Sequence, residues 1–421
     1  MAEPRPLPQL AVLGIGYVGL PLAVTAAATG YRTWGVDTDI RVVAQVNDGI
    51  SPVDTVGDGE LAVVGDRLTA TTDPGCLSQC SVIVICVPTP LDTAGRPDLT
   101  ALTQAVTSVR DALQPGQLII LESTTYPGTT DGHVRRLLEE SGLRAGADFN
   151  LAYSPERVDP GNPVYRLGNT PKLVGGLTPA CRDRASAFYS RFIQHLHPTP
   201  GIREAEAAKI FENTYRQVNI ALTNEFARLC HAFDIDVWET LRAVETKPFG
   251  FSGFHPSAGV GGHCIPVDPL YLVHRARELG LPFRMAEAAQ SVNAAMPAWV
   301  AERVVAQLTA DGTPPHDARV LLLGATYKRD VADTRNAPCV ELASRLRIMG
   351  TDVAFHDPYI PTLVVNGTTV HRTPAVDEAV SLADLVVVVQ HHKEYGDDLL
   401  GRARRIFYTS EPAALPNGVS L

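Results

Sequence analysis

Between residues 258 and 269 the chain reads Ala-Gly-Val-Gly-Gly-His-Cys-Ile-Pro-Val-Asp-Pro. One thiol, Cys264, follows Gly259, Gly261 and Gly262 and precedes Pro266 and Pro269. Glycine lets backbone come close to a ligand, and proline stiffens the exit. Asp268 lies one helical turn past the thiol, near enough to share its site. A lone cysteine is commonly a buried small hydrophobe. A nucleophilic one needs access and a neighbour that can handle a proton, and this stretch offers both.

A second constellation opens the chain. Residues 10–13 read as a short buried strand, and Gly14-Ile15-Gly16-Tyr17-Val18-Gly19 follows directly. Residues 21–29 read as a helix stopped by Gly30, and residues 31–36 as a second strand ending at Asp37. Strand, glycine turn, helix, strand and acid form the dinucleotide fingerprint in its required context. Gly14 makes the tight turn, Gly16 lets a pyrophosphate touch backbone at the helix start, and Gly19 allows close helix–strand packing. Asp37 would hold the ribose 2′-hydroxyl and repel a 2′-phosphate, so the expected cofactor is NAD rather than NADP.

The elements that must position these groups come next. Residues 80–87 are almost continuously apolar, as in a strand buried on both faces, and end in Pro88-Thr89-Pro90. Residues 118–122 end in Ser123-Thr124-Thr125, and residues 149–153 in Ser154-Pro155-Glu156-Arg157. Turn chemistry explains any one polar loop. Three on one sheet edge fit the place where open α/β sheets bind ligands.

Residues 203–232 predict a long helix. Phe211, Tyr215, Val218, Leu222, Phe226 and Leu229 make one apolar face, and Lys209 and Asn213 lie on another side. A lysine there is ordinarily solvated. A helix of this length between two α/β halves also suits packing between subunits. Pro297 and a helix over residues 299–308 lead to a Gly312-Thr313-Pro314-Pro315 linker. The opening pattern then returns: strand 319–323 with Gly324, a helix over 337–349, strand 352–356, and Asp357 echoing Asp37. Residues 325–335, with Lys328, Arg329 and Arg335, offer cations in place of bare glycine backbone. Residues 383–390 read as another buried strand, and the tail from Glu411 as loosely ordered.

The predicted fold is therefore α/β: two Rossmann-like, doubly wound parallel-sheet domains joined by a central helical domain with a long helix. The expected boundaries are 1–200 for NAD binding, 201–300 for the helical, dimerising and catalytic-loop domain, and 301–421 for the second Rossmann-like domain, to which the resemblance described next assigns nucleotide-sugar binding. The 421 residues carry a formal net charge of −10, against non-specific nucleic-acid binding or an anionic membrane surface. Seven cysteines, an odd number with one close pair, fit a reduced cytoplasmic setting and complete no metal site. Residues 6–31 are uncharged and admit a signal peptide or membrane span, but their glycines have the use given above.

In that order, these motifs resemble the UDP-glucose/GDP-mannose dehydrogenase family of nucleotide-sugar 6-dehydrogenases, from about residue 9 to about residue 395. The resemblance implies oxidation of a sugar C6 alcohol to a carboxylate with two NAD⁺. It implies Cys264 as the nucleophile, passing through a thiohemiacetal and a thioester. Lys209 would stabilise oxyanions, with Asn213 as companion. Asp268 would position water, Glu156 would be the acid/base of hydrolysis, and Thr124 an active-site threonine. Gly14 to Gly19, Asp37, Thr89, Thr124 and Arg335 would hold the cofactor. Glu156, Arg157, Lys209, Asn213, Gly261 and Lys328 would contact the substrate. A homodimer built on the central helix is implied too.

Two departures bear on the substrate. UDP-glucose members often carry a second glutamate four residues after the Ser-Pro-Glu acid, where this chain has Pro160. That variant, with Lys247-Pro248-Phe249-Gly250-Phe251, is closer to the UDP-N-acetylhexosamine branch. Near the end, Phe407-Tyr408-Thr409-Ser410 stands where many relatives carry Asp and Arg. The alternatives are UDP-glucose oxidation, a two-electron 3-hydroxyacid-type dehydrogenase, and a nucleotide-sugar binder without turnover.

Overall fold

The computed structural model describes residues 9–159, 161–162, 164–413 and 415–421; the departure at Pro160 lies outside them. The chain forms two compact units. One runs to Glu212 and takes in Leu270–Leu281; the other holds Asn213–Pro269 and Pro282–Leu421.

The first unit is built on β1 (Gln9–Leu13), β2 (Arg32–Val36), β3 (Leu68–Thr71), β4 (Val82–Ile85), β5 (Leu118–Leu121), β6 (Asn150–Tyr153), β7 (Lys172–Gly176) and β8 (Leu196–Pro198). Their order in the sheet is β3-β2-β1-β4-β5-β6-β7-β8. All named pairs are parallel except β6 with β7. Side chains alternate between two covered faces, which is why β4 and β5 read as unbroken apolar runs. Leu10, Val12, Val84 and Ile120 pack with Leu20, Ala23 and Tyr189 on one face. Ala11, Leu13, Ile83, Ile85 and Ile119 pack with Leu102, Val106 and Val109 on the other. β1 lies between β2 and β4, so the winding reverses there; open α/β sheets bind ligands at the strands' carboxyl ends beside such a reversal.

The second unit carries β9 (Arg319–Leu323), β10 (Asp352–His356), the antiparallel hairpin β11 (Thr362–Val365) and β12 (Thr368–His371), β13 (Leu385–Val388), β14 (Ile406–Tyr408) and β15 (Gly418–Ser420). Its main sheet runs β10-β9-β13-β14-β15, parallel throughout. The first turn repeats the geometry of the other sheet. Gly14 N–H donates to Val36 O at 2.8 Å and Gly324 N–H to His356 O at 3.0 Å, with φ of 84° and 85°. Ile15 N–H donates to Asp37 at 3.0 Å, and Ala325 N–H to Asp357 at 2.6 Å.

Two expectations are corrected. The tail is not loose: β15 pairs with β14, and Leu421 is buried. Helix Arg284–Ala310 does not break at Pro297 but runs through it. An interior proline costs a helical hydrogen bond, on the order of 3 kcal/mol. Here Pro297 is buried, and a Cβ on Gly259 would lie 3.4 Å from its ring, so the ring packs against the thiol-bearing stretch.

Candidate active site

In the first unit the three glycines of the first turn have different surroundings. A Cβ on Gly14 would meet Cys86 O at 2.9 Å, and one on Gly19 would overlap Gly14 O at 1.9 Å. A Cβ on Gly16 would meet nothing within 4 Å, so that exposed backbone faces open space where a pyrophosphate could rest. Asp37 accepts Ile15 N–H with one oxygen and Asp39 N–H with the other, both at 3.0 Å. Backbone thus aims its carboxylate. These residues fit NAD.

The loops past β4 and β5 meet. Thr89 Oγ1 donates to Thr124 O at 2.8 Å, and Tyr271 Oη to Thr89 O at 2.6 Å. Past β6, Glu156 accepts the N–H groups of Arg157, at 2.7 Å, and Val158. The Arg157 guanidinium grips Glu212 at 2.6 and 3.2 Å.

Glu212 belongs to helix Ile202–Ala232, one turn after Lys209, and Glu206 stands one turn before it. Glu206 accepts Gly128 N–H at 2.7 Å, Thr130 N–H at 2.9 Å and Thr130 Oγ1–H at 2.6 Å. Lys209 therefore sits between two carboxylates that fasten its helix to the Thr124 and Glu156 loops. Its exposure is 8%, so the solvated lysine expected from periodicity is wrong. The apolar stripe is the exposed side instead: Phe211 is 62% exposed, Tyr215 45%, Leu222 63% and Leu229 50%.

In the second unit Asn213, also buried, donates to Asp268 at 2.5 Å. Asn224, lower on the same helix, accepts Ser257 N–H at 2.8 Å and donates to Asn293 at 2.9 Å. Cys264 is exposed, and its carbonyl accepts Asp268 N–H at 2.8 Å, closing the turn that begins helix Asp268–Glu278. The loop before it is clamped. Gly262 N–H donates to Arg335 O at 2.9 Å, and Asn336 to Gly262 O at 3.0 Å. A Cβ on Gly261 would lie 2.6 Å from the Tyr327 side chain, and one on Gly262 2.9 Å from its ring. These two glycines admit a neighbouring loop, which differs from the ligand approach read from the sequence.

Exposure separates Cys264 from the other six thiols, which are buried or half-buried. Burial pushes Cys80 and Cys339 up to about 12, and Cys86 well above the usual thiol range. None of the seven cysteines is in a disulfide. His263 is lowered by burial and by the Arg335 guanidinium, which keeps its ring neutral near pH 7. Arg335 itself is bound by Asp333 at 2.5–3.0 Å.

The predicted groups thus fall in two sets. Gly14, Ile15, Gly16, Tyr17, Val18, Gly19, Asp37, Thr89, Thr124, Glu156, Arg157 and Lys209 belong to the first unit; Asn213, Gly261, Cys264, Asp268, Lys328 and Arg335 to the second. Sequence reasoning passed over Tyr327 as the loop's support and the buried pair Lys172–Glu122, whose signal is a lysine opening the otherwise apolar run Lys-Leu-Val-Gly-Gly. Among the described residues no His/Cys/Asp/Glu group could hold a metal ion, and no helix is long and apolar enough to cross a membrane.

Family models match nearly the whole length. The UDP-glucose/GDP-mannose dehydrogenase family's NAD binding domain matches residues 8–193, its central domain 203–295 and its UDP binding domain 321–410. A UDP-N-acetyl-D-mannosamine dehydrogenase of Pyrococcus horikoshii is 35% identical, over 92% of this chain and 90% of that protein. A UDP-N-acetyl-D-glucosamine 6-dehydrogenase of Pseudomonas aeruginosa is 35% identical, over 95% of this chain and 96% of that one. The solved structure of a UDP-D-ManNAc dehydrogenase from Pyrococcus horikoshii superposes with a TM-score of 0.87 at 33% identity, covering 98% of each chain.

Proposed function

The chain belongs to the UDP-glucose/GDP-mannose dehydrogenase family and is an NAD-dependent nucleotide-sugar 6-dehydrogenase, and from that premise we propose that it oxidises the C6 alcohol of a UDP-N-acetylhexosamine to the carboxylate through a Cys264 thioester. The observation that carries the reading is an exposed thiol on a clamped loop, one turn from the buried Asn213–Asp268 pair. The named relatives at 35% identity favour an N-acetylated sugar, with UDP-N-acetylglucosamine the first to try.

NAD⁺, when bound on the Gly14–Gly19 turn with Asp37 at its ribose, supplies the hydride acceptor. An aldehyde must gain a nucleophile before it can give up its remaining C–H as hydride. The Cys264 sulfur adds to the aldehyde carbon, and the carbonyl pair moves to oxygen, giving a thiohemiacetal. Lys209 and Asn213 stabilise that oxyanion, a role worth most in a site that excludes water. Loss of hydride leaves a thioester. Asp268 and Glu156 direct water onto its carbonyl, and the C–S bond breaks to give the carboxylate and regenerate the thiol. Lys328 contacts the substrate, and Thr89, Thr124 and Arg335 support the cofactor side. We place the enzyme in the reducing cytoplasm as a homodimer.

Counting NADH per sugar consumed tests the reaction: two for the full oxidation, one for a two-electron dehydrogenase, none for a binder. Cys264→Ala should retain NAD binding while acid formation falls by about a thousandfold or more. Normal acid yield from that variant would eliminate the thioester route. Efficient turnover of UDP-glucose with none of the N-acetyl sugars would overturn the substrate.

A further inference from the structure

Beneath the Glu156 loop lies a cluster that the proposed chemistry does not use. Lys172, the first residue of β7, is 4% exposed in its side chain, and Glu122, just past β5, is fully buried. Their charged atoms are 3.1 Å apart. The Tyr189 hydroxyl donates to the same Glu122 oxygen, and the other Glu122 oxygen is buried with no hydrogen-bond partner among the described residues. Lys172 Nζ also donates to the carbonyl of Pro155 at 3.4 Å. Beside it, Ser154 Oγ donates to Leu173 O at 2.7 Å. Ser-Pro-Glu is thus tied by two consecutive residues to the one antiparallel neighbour in the sheet.

A buried ion pair adds little net stability over apolar side chains of the same size, so stability alone gives no reason for this one. Its reach toward residue 155 does. We propose that Lys172 is a positioning residue for the hydrolytic step: held by Glu122, it fixes the loop that presents Glu156. Burial works against the Lys172 ammonium, but Glu122 and then Glu156 outweigh it and keep the lysine charged. The carboxylate being positioned is one that the ammonium senses. The inference rests on the reading of Glu156 as the acid/base of thioester hydrolysis.

The test uses the full-length enzyme with NAD⁺ and whichever of UDP-N-acetylglucosamine, UDP-N-acetylmannosamine or UDP-glucose it oxidises. Lys172→Met alone strands a buried carboxylate and threatens folding, so the informative variant is Glu122→Gln/Lys172→Met, which removes both charges at similar volume. It should bind NAD as the parent does and lose about tenfold or more in kcat with little change in KM. The acid limb of its kcat–pH profile should move, and acid-quenched protein should carry a sugar adduct on Cys264. Lys172→Arg should recover most of the rate. Parental kcat and pH profile in the double variant overturn the proposal. An adduct in Glu156→Gln but none in the double variant overturns the positioning role alone. Parental turnover without adduct in Glu156→Gln sinks the reading of Glu156, and this inference with it.

Discussion

We propose that a single side chain, Asp37, sets the choice of cofactor. Asp37 is the acid at the end of β2, and both its oxygens are already engaged by backbone N–H groups. Its charge is therefore fixed in place, and in the proposed site it would face a 2′-phosphate. Asp37→Asn keeps the shape and one acceptor but removes the repulsion. The ratio of kcat/KM for NAD over NADP should fall by about tenfold or more, or roughly 1.4 kcal/mol. Steady-state rates with both cofactors decide it, and an unchanged ratio would move the discrimination elsewhere. The residue scale was also the most legible in sequence. Gly14 and Gly19 stand where a Cβ would collide, as the tight turn and close packing read from their spacing require, because that depends on residue type alone. Lys172 stands out in its apolar run, but its pairing with Glu122 was illegible for the opposite reason. They are fifty residues apart in the chain and meet only through strand pairing.

At the scale of elements, apolar runs found β1, β2, β4, β5, β6, β9, β10 and β13 but not the other strands. The polar Leu-Thr-Ala-Thr of β3 carries no apolar run, and β8 is only three residues long. The hairpin β11–β12 was legible and passed over: Asn366-Gly367, with φ of 52° and 74°, is the two-residue turn such hairpins favour. Helix Ile202–Ala232 has its own pH signature through Glu206. Burial lifts that carboxyl from 4.5 to about 7, against the lowering by its bonds to Thr130 and Gly128. A carboxyl raised in the folded state keeps its proton there while the unfolded chain has lost it. Its contribution is whole below pH 4.5 and fades as pH climbs through 7, on the order of 3 kcal/mol in all. Wild type should therefore lose more thermal stability than Glu206→Gln between pH 5 and pH 8, by a few degrees in Tm. Parallel melting curves across that range would show that the charge is tolerated in the fold.

At the scale of the whole molecule, the central helix poses the question that one chain cannot answer. Periodicity tells which residues share a face but not which face is covered. On this helix the polar side, with Lys209, Asn213, Gln217 and Asn224, is the buried one. Phe211, Tyr215, Leu222 and Leu229 are left in water along an element that spans roughly 45 Å at 1.5 Å per residue. Leaving four large apolar side chains exposed is costly, and in the proposed homodimer a second copy laid against the same stripe would remove that cost by a self-complementary two-fold contact. Leu222→Glu combined with Leu229→Glu places like charges on both sides of that contact without touching the buried polar face. Sedimentation should then shift from twice the chain mass to a 45.2 kDa monomer, with the far-UV circular dichroism unchanged. The stripe also runs along the helix that carries Lys209, so if dimerisation stiffens that helix, activity should fall with the dimer and return as protein concentration rises. A variant that stays dimeric would place the subunit contact on another face and leave this stripe without its occupant.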